Sequence, residues 1–290
     1  GPAGVGGSLP GRTRRRLPSC PGVARSRCLP SRRGRAPSRT RRVSDGEARY
    51  RRIYRDRADE YDALVGAEDC DGRLRPALEA IAPLAGATVL EVGAGTGRVT
   101  RLLLAAGARV VATEPEPAML AVARRRAATG GRVVFAVADA LALPVRAGWA
   151  DLAVAGWALG HLRAWHADRW RVSIGRALAG MERALRPGGA LVLVETLGTG
   201  EERPHPPSAE LAGYYAWLED EQGMSRTAVR TDYRFADVEA AARATGFFFG
   251  EEFAERVRRR GWSRVPECTG LWWRRAGAMR AQGSSGEVRP

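Results

Sequence analysis

The 290-residue chain has the apolar content of a globular protein, and no apolar run approaches the roughly 18 residues of a membrane-spanning helix. Its net charge of +15 is concentrated: all 47 basic residues are arginine, twelve of them lie between Arg12 and Arg42, and no acid precedes Asp45, so the remainder carries only +3. Charge gathered in a terminal segment argues against a nucleic-acid partner for the folded part. Four cysteines without C-x-x-C spacing and three scattered histidines give neither a disulfide framework nor a metal motif. The compartment expected from that cysteine usage is reducing and cytoplasmic.

Residues 1–43 are Arg, Pro, Gly and Ser with little to bury, which predicts a disordered tail. It reads as a solvated basic arm, as an Arg- and Ser-rich transit segment, or as residues upstream of the native start, with Val43 compatible with a GTG start; the last reading is favoured. The folded domain is expected over 44–275, with a second tail at 276–290. Ser44-Asp45-Gly46-Glu47 has the capping-box pattern, and Tyr50, Ile53, Tyr54, Ala58, Tyr61 and Leu64 recur at helical spacing to about Val65. A second helix is predicted over 73–81.

Residues 88–92 read as a buried strand, followed at once by Gly93-Ala94-Gly95-Thr96-Gly97 and a helix to about 106. Glycines at alternate positions let a chain turn sharply and expose its N–H groups, and the helix N-terminus behind adds a positive field. The dinucleotide fingerprint G-x-G-x-x-G wants its third glycine where Arg98 stands. A second strand over 108–113 ends at Glu114, placed to accept hydrogen bonds from ribose hydroxyls. Pro115-Glu116-Pro117 opens a helix over 118–127 that carries Met119. A third strand, 132–138, ends at Asp139-Ala140. A fourth, 150–155, releases the loop Gly156-Trp157-Ala158-Leu159-Gly160-His161 at its carboxyl end, where ligands bind in open α/β sheets. A long helix over 167–185, Leu185-Arg186-Pro187-Gly188-Gly189 and a fifth strand over 190–195 follow. Residues 205–233 interrupt the alternation with Leu211, Tyr214, Tyr215 and Leu218 at helical spacing, which predicts a lid-like insertion. A helix over 237–245, a sixth strand beginning at Gly246-Phe247-Phe248-Phe249-Gly250, and a seventh over 268–273, antiparallel at the sheet edge, complete the expectation.

Glu91-Val92-Gly93-Ala94-Gly95-Thr96-Gly97, with Glu114 and Asp139-Ala140 in step behind it, resembles the class I methyltransferases that use S-adenosyl-L-methionine. The resemblance covers residues 44 to about 275. It implies an α/β, doubly wound, Rossmann-like seven-stranded sheet with its last strand antiparallel. It also implies cofactor contacts from Gly93, Ala94, Gly95, Gly97 and Pro115, with Glu91 holding the amino end, Glu114 at the ribose, and Met119, Asp139 and Ala140 at the adenine. Gly156 and Trp157 belong to the loop facing the transferred methyl group. Ala58-Asp59-Glu60-Tyr61-Asp62 looks like the family's helix across the pocket, with Tyr61 closing over the methionine end. The absence of an N/D-P-P-Y motif argues for a small-molecule acceptor, with Glu195, Tyr214, Tyr215 and Tyr233 on the acceptor side. His161 is the candidate general base, weighed against a structural histidine. An NAD-binding oxidoreductase and a non-catalytic binding protein on the same fold are the alternatives. Acceptor identity and oligomeric state are not readable from these residues.

Overall fold

The computed structural model describes residues 45–127 and 131–277. The expected tail at 1–43, and the second tail from residue 278, lie outside them. In chain order the elements are α1 (Asp45–Asp56), α2 (Ala58–Gly66), α3 (Leu74–Ile81), β1 (Thr88–Val92), α4 (Arg98–Ala105), β2 (Arg109–Glu114), α5 (Pro117–Arg126), β3 (Val133–Val137), β4 (Ala150–Gly156), α6 (Gly160–Trp165) and α7 (Trp170–Ala184). They continue with β5 (Leu185–Thr199), α8 (Ala209–Asp220), β6 (Ser225–Arg230), β7 (Tyr233–Arg234), α9 (Val238–Phe249), α10 (Glu251–Arg260), β8 (Arg264–Val265) and β9 (Glu267–Arg275).

Seven strands form one sheet in the order β3-β2-β1-β4-β5-β9-β6, in which only β9 runs against the others. Order reverses between β1 and β4, and a crevice opens there at the carboxyl ends of the strands. Both faces of the central strands are covered, so their sequences are continuously apolar rather than alternating. Leu90 and Val92 of β1 face α7, packing in one core with Ile174, Leu178 and Met181. Val89 faces the other way, into a core with Leu78 of α3 and Val99 and Leu103 of α4. Fully burying each of these Leu or Val side chains contributes about 1.5–3 kcal/mol, and the two cores clamp β1 between them. The rigid end of β1 is what holds the glycine turn still. A third, smaller core joins Leu64 of α2 to α9, α10 and the β7–β8 pair through Ala241, Val257 and Val265.

Four details depart from the sequence expectation. The single helix over 44–65 is two, because Arg57 leaves the helical region at φ −135° and ψ 36°. Gly246–Gly250 is not a strand: the Asp237 side chain caps α9 by accepting the Ala240 N–H at 2.7 Å, and the helix runs through all three phenylalanines to Gly250. The edge strand of the sheet is β6, inside the segment expected as an insertion, and β9 lies one place in from that edge. Finally, β5 starts at Leu185, so Arg186-Pro187-Gly188-Gly189 is a bulged strand entry, its register against β4 shifting between Ala150 and Leu152.

Candidate active site

The glycine turn is pinned from below. The Thr113 carbonyl accepts both the Gly93 N–H at 2.8 Å and the Ala94 N–H at 2.9 Å, tying the turn to the end of β2. Gly93 has φ +73°, and a Cβ there would lie 2.4 Å from the Ala158 Cβ, so the turn and the loop after β4 touch through a missing side chain. Gly97, at φ +84°, is the N-cap of α4 and packs against Ala123; it does not line the cavity above.

That cavity, of about 300 Å³, is lined by every other residue that the sequence assigns to the cofactor: Tyr61, Glu91, Gly93, Ala94, Gly95, Glu114, Pro115, Met119, Asp139, Ala140, Gly156 and Trp157. His161 lines it too. Glu114 Oε2 accepts the Gly95 N–H and Oε1 accepts the Glu116 N–H, both at 3.0 Å. Burial raises its pKa, and these two donors oppose the shift. Each oxygen keeps a lone pair for a ligand hydroxyl. Glu91 is deeper, with Oε2 accepting the Thr100 hydroxyl at 2.6 Å; burial pushes its carboxyl up to about 8. Asp139 Oδ1 accepts the Leu141 N–H at 2.9 Å, fixing the turn at Ala140–Ala142 beside the opening.

Trp157 is one of two non-glycine residues with positive φ among the described residues, at +51°. Its N–H donates to the Val194 carbonyl at 2.6 Å, and the Arg98 guanidinium lies 3.8 Å from its ring centre. Strained backbone of this kind clusters at ligand sites. Arg98 also pairs with buried Glu68 at 2.5 Å. Its Nη2, like Thr96 Oγ1, is buried without a hydrogen-bond partner. Both residues line the cavity. Leftover donors beside two carboxylates suit a ligand carrying hydroxyls, a cation and an anion, and a sulfonium nucleoside with a zwitterionic tail has all three.

A second cavity, of about 610 Å³, adjoins the first, and Tyr54, Tyr61, Arg98, Trp157, His161 and Trp165 line both. The imidazole of His161 stands at this junction. Its Nε2 is 3.0 Å from the Tyr54 hydroxyl, its ring stacks on Trp165, and burial lowers its pKa to about 4, so it is neutral at pH 7. Of the residues assigned to the acceptor, Glu195, Tyr215 and Tyr233 line the second cavity. Tyr214 does not; it packs against Trp170 and Trp217. Sequence reasoning missed Tyr50, Tyr54, Glu68, Arg98, Phe248 and Glu267. Arg98 carried the only signal, as the side chain in a glycine's place; the acids stand alone in their segments. Among the described residues no cluster of His, Cys, Asp or Glu could hold a metal ion, and no helix is long and apolar enough to cross a membrane.

Sheet order, glycine turn and the two carboxylates are those of the class I methyltransferase fold, the fold of enzymes that use S-adenosyl-L-methionine. Residues 90–193 match the methyltransferase domain family. A demethylmenaquinone methyltransferase of Clavibacter sepedonicus is 37% identical over 116 residues, which are 40% of this chain and 44% of that protein. An uncharacterized methyltransferase of Geobacillus sp. is 31% identical over 149 residues, 50% of this chain and 66% of that one. The chain thus spans about half the length of the curated relatives it matches. A solved structure from Anaeromyxobacter dehalogenans, described as a type II methyltransferase, shares the fold at a TM-score of 0.50 and 19% identity, covering 70% of this chain and 95% of that one.

Proposed function

We propose that this chain transfers the methyl group of S-adenosyl-L-methionine to a small-molecule acceptor. The observation that carries the reading is the pair of cavities meeting at Trp157 and His161, one above the glycine turn and one beside it. Glu114 would take the ribose hydroxyls, Glu91 the amino group, and the free Arg98 Nη2 the carboxylate. When bound, the sulfonium supplies an already activated methyl group, so the chain's task is to align the acceptor with it and exclude water. Neutral His161, held by Tyr54, acts here as a positioning residue at the junction, and Tyr61 closes the wall between the cavities. A nicotinamide dinucleotide is disfavoured by the Arg98 side chain in the place of its third glycine.

The test is calorimetric titration with S-adenosyl-L-methionine and S-adenosylhomocysteine, followed by transfer of tritiated methyl into metabolite, protein and RNA pools. Saturable uptake with label in the metabolite pool is expected. No uptake overturns the cofactor assignment, uptake without any labelled product favours a binding protein, and label in RNA or protein overturns the small-molecule acceptor.

A further inference from the structure

The second cavity contains more buried acid than its partners neutralise. Glu47 pairs with Arg51 at 2.9 Å and Glu68 with Arg98 at 2.5 Å. Glu195 and Glu267, 4% and 1% exposed, line the same cavity with no salt-bridge partner among the described residues. Each already accepts hydrogen bonds: Glu195 Oε1 takes the Gly160 N–H at 2.9 Å, with the Tyr214 hydroxyl and Leu159 N–H also directed at this carboxyl, and Glu267 Oε1 takes the Thr196 hydroxyl at 2.7 Å, with the Thr199 hydroxyl also directed at its carboxyl. Burial outweighs these donors in the free protein and pushes both carboxyls up to about 8, and a cation bound beside either would favour its ionised form. Glu267 Oε2 is buried with no hydrogen-bond partner. An unpaired buried carboxylate oxygen is costly, and a well-packed apolar side chain would serve stability better. The same cavity is lined by the rings of Tyr50, Tyr61, Tyr233, Phe248 and Phe249. The first two belong to an aromatic cluster with Phe248, at ring separations of 5.2 and 5.3 Å. Aromatic faces lining a cavity attract a cation, as carboxylates do.

We propose that the acceptor is an amine, entering as a protonated ammonium on an apolar or aromatic body, with Glu195 or Glu267 holding its nitrogen. This rests on the methyltransferase reading above. In the transfer, one of the two carboxylates takes the ammonium proton. The freed nitrogen lone pair then attacks the sulfonium methyl carbon, and the N–C bond forms as the C–S bond breaks, its electrons passing to sulfur. The product is an N-methylammonium and a neutral thioether, and the carboxyl proton is released to solvent. A cavity of about 610 Å³ lies within the ordinary range for a site enclosing a molecule of one to three rings.

The experiment measures binding to the full chain, with and without S-adenosylhomocysteine, by calorimetry. Matched probes are 2-phenylethylamine, 2-phenylethanol and 3-phenylpropionate, each with its naphthyl and anthracenyl homologue. The amines are expected to bind at least about tenfold tighter than the alcohols, with the carboxylates weakest. Of the isosteric substitutions Glu267→Gln and Glu195→Gln, made singly, one is expected to remove that preference while the alcohols bind as before, and a melting curve reports whether each variant is folded. Equal or tighter binding of alcohols or carboxylates, no binding by any amine of the series, or an amine preference that survives both substitutions overturns the proposal. Failure of S-adenosylhomocysteine to bind overturns the cofactor reading instead, and the amine preference is then read on the protein alone.

Discussion

The Glu114 carboxylate is bound into the glycine turn, its Oε2 accepting the Gly95 N–H at 3.0 Å. The acid therefore does two jobs: it holds the turn's backbone and presents the same oxygens to the cavity. Glu114→Ala is expected to weaken S-adenosyl-L-methionine binding by about 1.5–3 kcal/mol, the worth of charge-assisted hydrogen bonds lost together. Calorimetry checks it. Unchanged affinity would show that residue 114 holds only the turn.

Gly93 meets the loop after β4 at Ala158. Gly93→Ala places a methyl 2.4 Å from the Ala158 Cβ in a backbone conformation that alanine resists. Loss of about 1–3 kcal/mol of stability is expected from the strain and overpacking together. Nucleoside binding should fall at least about tenfold, because the turn must shift away from the cavity. Thermal melting and S-adenosylhomocysteine titration measure the two effects separately.

The third prediction concerns pH. Burial raises Glu91 and Glu195 to about 8, so in the free protein both bind protons more tightly folded than unfolded. Their contribution to stability is therefore full below the ordinary carboxylate pKa and is lost as pH rises toward 8. Glu91→Gln and Glu195→Gln should each flatten the decline in melting temperature between pH 5 and 8. A cationic ligand amino group beside Glu91 favours its ionised form, so nucleoside affinity should rise with pH over the same window. Binding near pH 7 should then release protons, measurable by titration in buffers of different ionisation enthalpy. A pH profile identical in Glu91→Gln would remove Glu91 from the site.

The cofactor side was legible because its signals are local. A short β-branched run, three glycines and an acid lie within eleven residues, and the next acids end the next strands, so the order of strands alone brings them together. The acceptor side is assembled from distant segments. Glu68 follows α2, Glu267 opens β9, and Phe248 ends α9; none has a neighbour in sequence that announces it. The Gly-Phe-Phe-Phe-Gly run was misread because aromatic residues favour strands in general. Here an Asp237 cap starts a helix upstream, and Arg49 of α1 donates to the Phe248 carbonyl at 2.9 Å at the helix end. The edge strand β6 was invisible for the opposite reason. Its Ser-Arg-Thr-Ala-Val-Arg is largely exposed, so it has no apolar face to read.

Because Tyr54, Tyr61 and His161 face both chambers, an occupant of either leans on the other's partition. Thermodynamic reciprocity then fixes the bargain between them: by whatever factor the nucleoside tightens the grip on its companion, the companion tightens the grip on the nucleoside. On the proposed reading, exchanging the donor for its spent thioether would be felt by the second tenant only through this shared partition of three rings.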